Sequence, residues 1–188
     1  MMKHLKGLAL LLVLSANGSF AADYVIDGSG EGMHASVNFK ASHIGISSLW
    51  GRFNDLRGRF SYDAANLGAS SIEVTIDPAS IDTNHEARNT HLKSADFLDV
   101  EKYPEIKFVS TGFKVKGDGV ATVSGDLTLH GVTRSISFDV HRTGEGDSPF
   151  GDYRVGFEGS VVLALADFGI SPISPEIELF LAIEGVRQ

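Results

Sequence analysis

An all-β fold, an antiparallel barrel or a two-sheet sandwich of about eight strands, is what this 188-residue sequence predicts. Three observations carry it. Segment after segment alternates apolar and polar residues, tight-turn signals separate consecutive segments, and one polar island, Asp82 to Pro104, breaks the alternation. Period-two alternation means a sheet with one buried and one wet face. It excludes a parallel α/β sheet, whose strands read as continuous apolar runs.

The first 21 residues stand apart. Lys3 and Lys6 precede an apolar core, Gly7 to Leu14, and Ser19-Phe20-Ala21 follows. This is the pattern of a secretory signal peptide cleaved near Ala21. Its apolar core is about half the roughly 18 residues needed to span a bilayer. The expected mature chain, 22–188, is a single domain in the periplasm, with no stable membrane insertion. Loss of the leader lowers Lys+Arg from 16 to 14 against 24 Asp+Glu, a net charge of −10. Such an acidic chain argues against nucleic acid as a partner. The chain has no cysteine, which removes thiol redox chemistry and cysteine–zinc sites.

Strands are expected at about 24–28, 33–42, 50–62, 70–77, 104–116, 119–130, 132–143 and 153–165, with 175–186 closing the fold. In the second, Ala35, Val37, Phe39 and Ala41 share one parity; later Ile72, Val74 and Ile76 do, and then Ile136, Phe138 and Val140, with Arg134 the exception on that face. Tyr153, Val155, Phe157, Val161, Leu163 and Leu165 form another such set, as do Ile177, Leu179, Leu181 and Ile183. Ile106 and Phe108 are even whereas Phe113 and Val115 are odd, so a bulge is expected near Ser110 to Gly112. Gly117-Asp118-Gly119 reads as a hairpin, His130-Gly131 as a tight connection, and Gly144 to Gly151 as a longer loop. Short turns between successive strands favour an up-and-down order, and one apolar face per strand demands closure.

The island reads as a short helical insertion over about 78–99. Asp77-Pro78 ends a strand, and Asp82 or Asn84 is placed to cap a helix running to about Lys93. Arg88 and His91 share a helix face, with Asp82 as cap or pair partner. They form either a ligand-facing cluster or an ion pair that pins the helix.

Enzymatic motifs fail on spacing. His85-Glu86-Ala87-Arg88-Asn89 lacks the second histidine that a zinc protease needs one turn later. Ser94, His91 and Asp96 lack a glycine-rich elbow around the serine. His34, His43, His91, His130 and His141 match no known metal-ligand spacing. The apolar faces fit a packed core and a pocket wall equally.

Several motifs in order resemble the YceI-like family. They are Ser80-Ile81-Asp82-Thr83, Arg88, His91 through Val100, Tyr103 through Phe108, Gly125 through Thr133, and Asp167-Phe168-Gly169-Ile170. The resemblance runs from about Tyr24 to the C-terminus. It implies an extended lipocalin-like antiparallel barrel, exported to the periplasm, with a long isoprenoid or similar amphiphile in its lumen. On that reading Val37, Phe39, Ile72, Val74, Phe108, Phe138, Phe157 and Leu179 line the lumen, and Asp82, Arg88 and His91 lie near the insertion's seat. The expected protein is a binding or transport protein with no catalysis, cofactor or metal of its own; a homodimer is compatible with it. The alternative is a small isomerase or hydrolase acting on a lipid-like substrate, with His91 or His130 as base.

Overall fold

The computed structural model describes residues 21–26, 28, 34–117, 119–171 and 174–188. The expected leader peptide, apart from Ala21, lies outside the described residues. The first strands are β1 (Ala22–Ile26), β2 (Ser36–His43), β3 (Ser47–Phe53), β4 (Leu56–Tyr62), β5 (Ser71–Ile76) and the two-residue β6 (Ile81–Asp82). One helix follows, α1 (Glu86–Lys93). The long strands β7 (Ile106–Gly117), β8 (Val120–Leu129), β9 (Val132–Asp147), β10 (Tyr153–Ala164) and β11 (Glu176–Arg187) complete the chain.

All pairings are antiparallel, in the order β1-β4-β5-β7-β8-β9-β10-β11, and β1 closes the ring on β11. This is the expected barrel of eight strand positions, with the helix inserted at one end. Three positions are shared by broken strands. β11 pairs β2 through Ile177–Ala182 and β1 through Gly185–Arg187, so β1 and β2 occupy one position in succession. β3 then pairs β2 while β4 pairs β1. β5 pairs β4 while β6 pairs β3.

The single strand expected over 50–62 is therefore two, β3 and β4, interrupted at Asn54 and Asp55. The break lets the chain move from β2 to β1 as its neighbour. Its free amides do not go unpaired: the Ser80 hydroxyl accepts from Asn54 N at 3.1 Å and Asp55 N at 3.0 Å. The sequence carried a signal of this, since Leu49, Gly51 and Phe53 are odd whereas Leu56, Gly58 and Phe60 are even.

The expected irregularity in β7 is present, as a register shift between Ser110 and Gly112. β9 runs four residues beyond the expected end at 143, so Gly144–Asp147 belong to the strand rather than to the loop. On β8, Ala121, Val123, Gly125, Leu127 and Leu129 are buried while the residues between them are less so. That alternation defines an inward face for every neighbour. The helix-side half of the core gathers around Phe53, Ile81, Leu127, Leu163 and Phe168. The opposite half gathers around Tyr24, Ile26, Leu56, Phe60 and Val155.

Candidate functional site

The inward faces do not fill the barrel. They enclose a cavity of about 530 Å³ that runs from Ser42, His43, Arg88 and His91 at the helical end to Tyr62, Ser70 and Arg142 at the other. Single-ligand pockets occupy roughly 300–1,000 Å³. Val37, Phe39, Ile72, Val74, Phe108, Phe138, Phe157 and Leu179 all lie on this wall.

The space exists because large rings lie flat on the wall instead of crossing the lumen. Phe39 sits on Gly51 and Phe108 on Gly125; a Cβ at either glycine would come within 2.4 Å of the ring. Phe60 rests in the same way against Gly185. At the end away from the helix, Phe60 stacks on Tyr24 with centroids 4.9 Å apart, and Phe157 meets Tyr62 edge-on at 5.2 Å. Burial raises the Tyr24 and Tyr62 phenols above their ordinary pKa, so both remain neutral donors.

The helical mouth is built around two residues that the sequence reading did not single out, Thr83 and Asn89. Asn89 Oδ1 accepts from Thr83 N at 2.9 Å and from the Thr83 hydroxyl at 2.6 Å. Asn89 Nδ2 donates to Asp82 Oδ1 at 3.3 Å. Arg88 donates twice to Thr83, from Nε to the hydroxyl at 2.8 Å and from Nη2 to the carbonyl at 2.7 Å. No spacing rule marks such a clamp; a buried Asn on a short polar helix and a Thr just before it look like any other polar pair in sequence.

Two expectations are corrected here. The helix N-cap is His85, whose Nδ1 accepts from Arg88 N at 3.2 Å, rather than Asp82 or Asn84. Asn84 instead takes a positive φ of 59° just before the cap. Asp82 does not pair with Arg88. It points away from the lumen, accepting from Asn84 N and Asn89, and those bonds, the Asn84 amide first, lower its pKa. Arg88 and His91 remain at the cavity mouth. Arg88 Nη1 makes no hydrogen bond among the described residues.

The residues weighed for catalysis do not assemble into a Ser–His–Asp relay. His91 Nε2 lies 3.2 Å from Asp96 Oδ2, but the Ser94 hydroxyl donates to the His91 carbonyl at 2.7 Å and does not address the imidazole. His130 packs on Tyr103 at 4.5 Å and contacts the Phe168 carbonyl through Nδ1 at 3.2 Å. It does not line the cavity and acts as a strut between the insertion and the turn at 165–168. His34 and His141 pair with Glu184 and Glu158, and no cluster of three or more His, Asp or Glu able to hold a metal forms among the described residues.

A closed antiparallel barrel of eight positions, with an apolar lumen and a helical insertion seated on one mouth, defines a lipocalin-like barrel that encloses space instead of filling it. The chain belongs to the YceI-like family, whose model, a YceI-like domain, matches residues 24–185. It is 49% identical to the UPF0312 protein of Ectopseudomonas mendocina, over 98% of this chain and 97% of that one. Its structure is similar to that of the Campylobacter jejuni YCEI protein, with TM-score 0.71 and 26% identity over 78% of this chain and 90% of that chain. It shares its fold with a polyisoprenoid binding domain from Saccharophagus degradans, with TM-score 0.66 and 18% identity over 90% of this chain and all of that one.

Proposed function

We propose that the protein is a non-catalytic periplasmic carrier that holds one long apolar chain, an isoprenoid or similar amphiphile, in its lumen. The observation that carries this is the cavity itself: continuous over the barrel's length, walled by aliphatic and aromatic side chains, with polar groups near its two ends. Each methylene removed from water contributes about 0.8 kcal/mol. A dozen buried carbons thus supply on the order of 10 kcal/mol before the costs of ordering are met. The tail carries the affinity, and Arg88 and His91 orient the head. The shared fold with a domain named for polyisoprenoid binding supports the ligand class. The side-chain geometry weighs against a serine-hydrolase reading, since Ser94 and His91 do not form a nucleophile–base pair.

Titration with a fluorescent polyprenol analogue tests the reading. Leu179, paired with Phe39 across β11 and β2, points into the cavity. Leu179→Trp fills that space and should lower affinity at least tenfold with the barrel still folded. Equal affinity in the folded variant would place the ligand elsewhere.

A further inference from the structure

A barrel removes sheet edges by pairing every strand on both sides. This one leaves part of its wall unpaired. β9 and β10 pair from Tyr153 opposite Asp147 to Gly159 opposite Val140, and there the ladder stops. Both strands continue, β9 back to Val132 and β10 on to Ala164, each still paired on its far side, to β8 and to β11. Among the described residues, 132–139 and 160–164 therefore present bare backbone edges to each other. Unpaired amides and carbonyls are costly when dry, so such edges need water or a partner between them.

Side chains repeat the pattern. The last bridge across the two strands is His141 Nε2 to Glu158 Oε2 at 3.5 Å, where the ladder ends. Below it, the outward side chains of β9 turn back to β8: Asp139 accepts from Thr122, Ser137 meets Ser124, and Ser135 donates to Asp126. Arg134, on the inward parity of β9, is exposed. The lumen cavity and an outer groove of about 440 Å³ share Glu158, Gly159 and Leu181 in their walls, so only a single layer of wall separates them where the pairing stops. The inner lips are apolar, Ile136 and Phe138 on one strand and Val161 and Leu163 on the other.

We propose that this seam between β9 and β10 is a lateral portal, through which the apolar chain enters and leaves the lumen sideways. The inference rests on the lipid-carrier reading. A seam with apolar inner lips and small, diverted outer side chains lets hydrocarbon pass without threading it end-first past the helical insertion.

The chain has no cysteine, so a staple can be placed without background. Continuing the observed register sets Ser137 opposite Val162, both facing outward. Ser137→Cys with Val162→Cys, closed by oxidation or a short bis-maleimide, locks the seam; Ser124→Cys with Ser137→Cys staples the paired β8–β9 ladder as control. Transfer of a pyrene-labelled polyprenol from phosphatidylcholine vesicles should slow at least tenfold in the locked seam, in both directions, and leave equilibrium affinity unchanged. Cleavage of the disulfide should restore the rate, and the control staple should not alter it. Wild-type rates with the seam locked overturn the portal. Probe binding by neither the open nor the locked form overturns the carrier reading and the portal with it. Amide exchange gives a second readout free of any ligand: amides of 132–139 and 160–164 that point into the seam should exchange faster than their neighbours bonded to β8 and β11. Uniform protection along both strands contradicts an open seam while leaving the carrier reading intact.

Discussion

The ring of Phe39 lies across the bare Cα of Gly51, the residue directly paired with it on β3; a Cβ there would stand 2.3 Å from Phe39 Cζ. The same arrangement recurs between Phe108 and Gly125 on adjacent strands. Each glycine gives up side-chain packing so that a ring can lie against the wall, and the lumen keeps its space. Gly51→Ala should push Phe39 inward, costing about 1–3 kcal/mol as overpacking does. Ligand affinity should fall with it. Chemical denaturation and lipid titration of the same variant check both effects; an unchanged affinity means that Phe39 does not bound the ligand space.

The clamp at the helical mouth rests on Asn89, 7% exposed, which satisfies both donors of Thr83. Asn89→Ala strands those groups, and an unsatisfied buried polar group costs about 1–3 kcal/mol. The loss should be local, because the insertion is held by this cluster while the barrel is held by its ladders. Amide exchange should accelerate over 83–93 and remain slow in β8. Equal acceleration in both would mean that the insertion is part of the barrel's cooperative unit.

Arg88 is a polar group at the mouth with donor capacity to spare, since Nη1 makes no hydrogen bond among the described residues. Arg88→Ala should leave binding of a pure hydrocarbon probe within about twofold and erase discrimination between hydrocarbon, alcohol and acid forms of the same chain. Unaltered discrimination would assign the head to another part of the cavity.

The turn between β9 and β10 is held by a charge cluster. Arg154 forks onto Asp152 with two bonds of 2.9 Å and donates to Glu184 at 2.7 Å, and Ser148 also donates to Asp152. These bonds, those from Arg154 first, hold the Asp152 pKa down to about 2, against an unfolded value of about 3.9. A depressed carboxylate stabilises the fold above its unfolded pKa, and that contribution disappears as pH falls through the folded value. The Asp152 share of stability is therefore complete above about pH 4 and lost on approach to pH 2. Asp152→Asn should flatten the wild-type stability loss in that window, followed by thermal melts at half-unit pH steps. Parallel curves for the two proteins would remove Asp152 from the acid transition.

Much of the barrel was legible because burying one face writes itself into a strand as alternation. The wall residues Val37, Phe39, Phe108, Phe138 and Leu179 stand on that face in sequence and on the cavity in structure. Alternation reports which way a side chain points, not whether its strand is bonded to a neighbour. The unpaired stretch beside Ile136 and Phe138 therefore left only Arg134, the one charged residue on the same face, as a trace. The β3–β4 break had left a parity slip between Phe53 and Leu56. The Thr83–Asn89 clamp left no spacing signal: Thr83 stood out only within the family motif, and a polar residue on or beside a short helix reads the same whether it caps, clamps or faces water.

A lumen built to hold one apolar chain should keep that chain through gentle purification. Native mass spectrometry of the protein purified from its own cells weighs that chain directly. The expected mass exceeds that of the polypeptide by a single lipid, released on activation and missing from folded Leu179→Trp. A bare polypeptide mass under the gentlest conditions, or an adduct that Leu179→Trp retains in full, would contradict it.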